Sequence, residues 1–234
     1  MAIRLVVFDV AGTTVRDGGG AVQRAMRDAI AVTGLAVRDG AMAGVTGLAK
    51  PLAIRTLLEG HGRDELVPRT GSIHADFVAR MQRYYRDDEK VGPVDGAGRT
   101  FDALRTAGVR VALNTGFSRA VLDEILARLG WAGPDGPLDA TIASDEVPRG
   151  RPYPDMIDAL RSRLGGIAYT EVAKVGDTPI DLHEGTMARC GLVVGVLSGA
   201  HDQASLMQHP HDALIPSVAE LPQLIVELGL MPVK

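Results

Sequence analysis

Ile3-Arg4-Leu5-Val6-Val7-Phe8-Asp9-Val10-Ala11-Gly12-Thr13-Thr14 is the stretch whose reading decides the fold. Its first six residues are apolar except for Arg4, too few for a helix, and end at a turn signal. They predict a strand from Ile3 to Phe8. Four similar runs follow, at Val109 to Asn114, Ala140 to Ala143, Val172 to Val175 and Leu192 to Leu197. Helix-length amphipathic stretches lie between them, and the alternation predicts an α/β fold with a parallel sheet and crossover helices. Ligands of such open sheets bind beyond the carboxyl ends of the strands, so the residues just after each strand carry the functional reading.

Residues 9 to 108 separate the first two strands, far more than one crossover needs. Val22 to Val32, Pro51 to Leu58 and His74 to Tyr85 carry apolar residues at spacings of three and four, which predicts helices packed on one another. An inserted helical domain over residues 17–91 is the simplest account, with the core made of 1–16 and 92–234. Its hinges would be the glycine-rich piece Arg16 to Gly20 and the stretch Glu89 to Gly98, where Gly92, Pro93, Gly96 and Gly98 interrupt the periodicity.

The 234 residues are 46% hydrophobic and 23% charged, enough to bury a full core, and the net charge is −4. Lysine and arginine are scattered among acidic residues, so the footprint for a nucleic-acid backbone is missing and a small-molecule partner fits better. Cys190, the single cysteine, excludes an internal disulfide and reads as a buried, inert thiol. There is no charged lead with a cleavage site, and no apolar run nears the roughly 18 residues of a spanning helix. The expectation is a cytoplasmic protein that engages no membrane.

Four positions after strands carry chemistry. Asp9, followed by Ala11, Gly12 and Thr13 in a tight turn, can accept a phosphoryl group while the turn's N–H groups hold it, or can simply satisfy the turn or cap a helix. In Asn114-Thr115-Gly116-Phe117-Ser118, the Thr115 hydroxyl and the Gly116 N–H can bind phosphate oxygens; alternatively this is an ordinary turn with Ser118 as N-cap. Arg151, before Pro152, can neutralise nucleophile and phosphoryl charge or lie in solvent. Asp177, in Val175-Gly176-Asp177-Thr178-Pro179-Ile180-Asp181, can join Asp9 on a hard cation such as magnesium. Thr178, Pro179 and Asp181 also read as N-cap, N1 and N3 of a capping box.

In order and spacing these motifs resemble the four-part signature of the haloacid dehalogenase superfamily over nearly the whole chain. The resemblance implies a Rossmann-like core with a helical cap of the C1 type, closing over the site. It implies Asp9 as nucleophile, Thr115 and Arg151 on the phosphoryl group, magnesium on Asp9, the Ala11 carbonyl and Asp177, and Asp181 supporting them from behind. A general acid two residues after the nucleophile is usual in phosphatases of this superfamily. Here that residue is Ala11, and such help is commonly worth about two to four orders of magnitude.

Phe8 to Val15, Val147-Pro148, Gly150 to Pro154 and Lys174 to Thr178 look like the phosphonoacetaldehyde hydrolase branch, which also has alanine at that place. There a cap lysine condenses with the substrate aldehyde. Lys50, in Gly47-Leu48-Ala49-Lys50, occupies the matching place, and desolvation would favour the neutral amine that such chemistry needs. It could instead grip an anionic end of the substrate or lie in solvent. The sequence departs from that branch at Ala53 (histidine there), Thr46 (methionine), Gly19 (cysteine) and Phe117 (tyrosine), and Pro51 follows the lysine directly. Gly195 to Asp202 and His209-Pro210-His211 look more like the sister phosphonatase-like hydrolases. His201 and Asp202 follow the last strand and either border the site or cap a helix.

The expectation is a phosphonatase-like hydrolase of a small phosphonate. Its alternatives are a phosphatase for small monoesters such as phosphoglycolate, and a silent binding protein that retains the fold. By resemblance a homodimer is plausible.

Overall fold

The computed structural model describes residues 2–16, 18–38 and 40–232. Its centre is a six-stranded sheet, all pairings parallel, of β1 (Leu5–Phe8), β2 (Arg110–Thr115), β3 (Ala140–Ala143), β4 (Val172–Gly176), β5 (Leu192–Val196) and β6 (Ala213–Ile215). The spatial order is β3-β2-β1-β4-β5-β6. Five strands are those expected, shifted by up to two residues at their ends. The sixth was missed, since three residues behind His209-Pro210-His211 give no periodicity to read.

Alternation along β1 explains why its run is apolar throughout. Val6 and Phe8 enter one apolar cluster and Leu5 and Val7 another, so the strand is covered on both faces. The chain order places α1 (Ala21–Ala31), α2 (Lys50–Gly60) and α3 (Thr70–Asp87) between β1 and β2. Then come α4 (Ala97–Thr106), α5 (Arg119–Leu129), α6 (Asp155–Arg163), α7 (Pro179–Met187), α8 (Gln203–Leu206) and α9 (Leu221–Glu227).

No strand lies among the described residues between β1 and β2. In α1 the buried residues Ala21, Ala25, Met26, Ala29 and Ile30 form one stripe. The connections into and out of the insert run side by side: Val94 N–H donates to the Thr14 carbonyl at 2.8 Å and Arg16 N–H to Gly92 at 3.0 Å. Asp17, within the expected first hinge, lies outside the described residues, as do Met1, Val233 and Lys234 at the expected core's ends. The insert shares the sheet's core, because Phe77 and Tyr85 of α3 pack on Phe117 after β2. Arg86 also pairs with Glu124 of α5 at 2.5 Å.

No helix among the described residues is long and apolar enough to cross a membrane.

Candidate active site

The carboxyl ends of β1, β2 and β4 bring Asp9, Thr115 and Asp177 together beneath the insert. A cavity of about 60 Å³ between sheet and helices is lined by Asp9, Ala11, Thr115, Gly116, Arg151 and Asp177 from below. Lys50, Thr46, Gln23 and several apolar side chains close it from above.

Asp9 is held by its N–H, which donates to the Val175 carbonyl at 2.9 Å. Its carboxylate receives Arg151 Nη2 at 2.7 Å. Burial raises the Asp9 carboxyl above the ordinary range, and Arg151 only partly offsets this. Asp177 is raised further, by burial and then by the charges of Asp9 and Asp181. Its two oxygens accept from Thr13 Oγ1 at 2.9 Å and from Ala200 N–H at 2.7 Å.

Asp181 fills the N3 place of the expected capping box: Thr178 Oγ1 accepts from its N–H at 3.3 Å and donates to its carboxylate at 2.6 Å. The same carboxylate pairs with Arg151 and, at 3.0 Å, with Lys174. Burial alone would raise it, but the two cations hold it down at about 2. Arg151 thus bridges Asp9 and Asp181, and its buried Nε has no acceptor among the described residues, which suits an anion in the cavity.

Beneath Asp181 lies a charge network that the motif reading missed. Lys174 Nζ is fully buried and donates to Asn114 Oδ1 at 2.7 Å, with Glu184 at 3.1 Å. Asn114 Nδ2 in turn reaches both Glu184 oxygens, at 2.8 and 2.9 Å. A lysine inside the apolar run Val172 to Val175 was the available signal, since buried lysines need partners.

Around the floor, Asp9, Asp177, Asp181 and Glu184 face the cations Arg151 and Lys174, an excess of two negative charges when all are ionised. Oxygens of Asp9, Asp177 and Asp181 lie within 4.8 Å of one another. This all-oxygen donor set and its uncompensated charge fit a hard divalent cation.

Lys50 is buried at the first turn of α2, with Nζ donating to the Leu48 carbonyl at 3.3 Å and lying 5.1 Å from the Phe117 ring centroid. Its backbone N–H reaches the Gly116 carbonyl at 3.2 Å. That seam requires glycines on both sides. A Cβ at Gly116 would stand 2.6 Å from the Leu48 carbonyl, and one at Gly47 2.4 Å from Thr178 Oγ1.

Other residues singled out in the sequence have these places. Gly12 N–H donates to Val15 at 2.8 Å and the Thr13 hydroxyl is committed to Asp177, so the two build the turn and position the second aspartate. Asp202 caps α8, accepting from Ser205 N–H at 2.9 Å, and His201 stands outside the cavity lining. Ser118 occupies the N-cap position of α5 without a capping bond; Asp145 accepts the Arg119 N–H at 2.8 Å in its place. Cys190 is half-buried, with burial pushing its thiol up to about 12, outside the reactive range.

This chain belongs to the haloacid dehalogenase-like hydrolases, whose family model matches residues 3–187. Within them it is related to the phosphonoacetaldehyde hydrolases. It is 30% identical to that of Bordetella avium over 220 residues, covering 91% of this chain and 77% of the relative. With that of Bacillus cereus it shares 29% identity over 217 residues, 86% of this chain and 78% of the relative. Its fold matches a phosphonoacetaldehyde hydrolase-like protein from Oleispira antarctica with a TM-score of 0.84 at 21% identity, over 97% of this chain and 93% of the other.

Proposed function

We propose that the chain is a magnesium-dependent hydrolase that transfers the phosphoryl group of a small phosphonate to Asp9, with residues 17–91 as the cap. The observation that carries this reading is that Asp9, Thr115, Arg151, Asp177 and Lys50 all line one cavity of about 60 Å³, while position 11 offers only a methyl group. Taking about 10–15 Å³ for one water, this is space for a few small groups, a phosphoryl group with a two- or three-carbon tail.

Thr115 and Arg151 hold the phosphoryl oxygens, and the Arg151 charge draws their repulsion away from the approaching Asp9 oxygen. Magnesium, held by Asp9, Asp177 and the Ala11 carbonyl, supplies further charge neutralisation when bound. Lys50 condenses with the aldehyde of the substrate, releasing water. Asp9 Oδ then bonds to phosphorus as the carbon–phosphorus bond breaks, and that bond's electron pair passes through carbon to the iminium nitrogen. Water hydrolyses the aspartyl-phosphate and the resulting enamine, freeing phosphate, aldehyde and Lys50. No leaving alcohol needs a proton, which accords with Ala11.

Phosphonoacetaldehyde, named in the relatives, is the first substrate to test with magnesium. Phosphate and acetaldehyde should form together and fall at least a thousandfold in Asp9→Asn, and borohydride should trap a substrate adduct on Lys50. Phosphate released from phosphoglycolate without any Lys50 adduct would replace this reading with a monoester phosphatase. No Asp9-dependent release from any phosphonate or ester would leave a binding protein.

A further inference from the structure

We propose that Gln23 reads the end of the substrate remote from phosphorus, and that this end carries an oxygen able to accept a hydrogen bond. The inference rests on the reading above only in placing the phosphoryl group on the cavity floor.

The roof is largely apolar, with Val22, Met26, Met42 and Val45 facing the cavity. Gln23, Thr46 and Lys50 bring polar groups into it. Thr46 Oγ1 spends its proton on the Met42 carbonyl at 2.9 Å, so towards a ligand it can only accept. Lys50 enters from α2, where Nζ donates to the Leu48 carbonyl at 3.3 Å. Gln23 enters from the first turn of α1, half-buried, and its side-chain amide hydrogen-bonds to no protein group among the described residues.

Its position is also a boundary. Gln23 and Ala200 line both this cavity and the cleft of about 730 Å³ beside the hinge, which Arg16 and Lys90 also border. A ligand that fills the cavity from the floor therefore meets Gln23 at the side where the cavity borders the cleft. An amide donor at the cavity wall favours a ligand that accepts from it over a same-sized ligand that cannot, because only the former replaces the hydrogen bond to water that its entry displaces.

The test compares 2-oxopropylphosphonate with 2-methylpropylphosphonate, matched in size but without the acceptor, by calorimetric titration with magnesium present. The Asp9→Asn/Lys50→Met background prevents turnover and removes any preference for the oxo ligand that Lys50 itself would give. The oxo ligand should bind about tenfold more tightly, the equivalent of one hydrogen bond. Gln23→Leu and Gln23→Met should both abolish that preference and leave 2-methylpropylphosphonate affinity within about twofold. Equal affinity for the two ligands before substitution, a preference that survives both substitutions, or an equal loss for both ligands would overturn the proposal. Binding of neither ligand overturns it together with the phosphoryl site. Absence of phosphate release from phosphonoacetaldehyde counts against the catalytic reading alone and leaves the ligand preference standing.

Discussion

Replacing Lys174 by methionine removes the buried cation that joins Asp181 at 3.0 Å to Glu184 at 3.1 Å. Asp181 keeps Arg151 and Thr178, whereas Glu184 keeps, among the described residues, only the two hydrogen bonds from Asn114 Nδ2 and no ion pair. Deleting one member of a buried pair commonly costs about 3–5 kcal/mol, because the other is left charged and dehydrated. Burial already holds Glu184 above the ordinary carboxylate range, against the pull of Lys174. Without that pull the carboxyl rises further and gives up its charge more readily, which limits the loss to the lower half of this range. The assay is urea unfolding of wild type, Lys174→Met, Glu184→Gln and the double variant. The double variant should recover about 2 kcal/mol relative to Lys174→Met, since both charges then leave together. The pH dependence has a fixed sign. A carboxyl with a raised folded pKa favours folding while protonated and loses that advantage as pH rises through the raised value, so the Lys174→Met deficit should shrink from pH 8 to pH 5. Additive single effects, or a deficit that grows towards acid, would refute the network as described.

Two other outcomes follow from the floor of the site. Ala11→Asp restores a general acid at the cavity lining, and kcat/KM for an aryl phosphate with magnesium should rise at least tenfold; no gain would show that the missing acid is not the main obstacle to ester hydrolysis. Burial raises the carboxyls of Asp9 and Asp177, so their protonated forms favour the metal-free fold and that advantage fades as pH rises through the raised values. Magnesium requires both deprotonated, so at one magnesium concentration its upward shift of Tm should be larger at pH 8 than at pH 5, and the stabilisation should reach about 2.7 kcal/mol at a hundredfold excess over Kd. An equal shift at both pH values, or one retained in Asp177→Asn, would count against this site.

Much of the molecule is determined by short-range pattern. The apolar run before Asp9, its four counterparts and the helical spacings of Val22 to Val32 and His74 to Tyr85 specify a parallel sheet with a helical insert, because strand and helix periods are written in neighbouring residues. The positions of Asp9, Thr115 and Asp177 follow from the same pattern, since parallel strands put all their carboxyl ends at one edge. Asp181 was legible as a capping residue because its partner Thr178 is three residues away.

What only the tertiary structure decided depends on separations the pattern cannot span. Asn114 and Glu184 are 70 residues apart, and Lys174 could be recognised as their common partner only once β2, β4 and α7 were adjacent. The same adjacency gives the Thr13 hydroxyl a second role, fixing Asp177 164 positions away. Gln23 carried no motif at all, and its place at the cavity wall comes from how α1 lies over the sheet. Sequence determined which strand ends carry the carboxylates. Packing decided which charges compensate one another there and how small a ligand the space above them admits, since both depend on distances between elements remote in the chain.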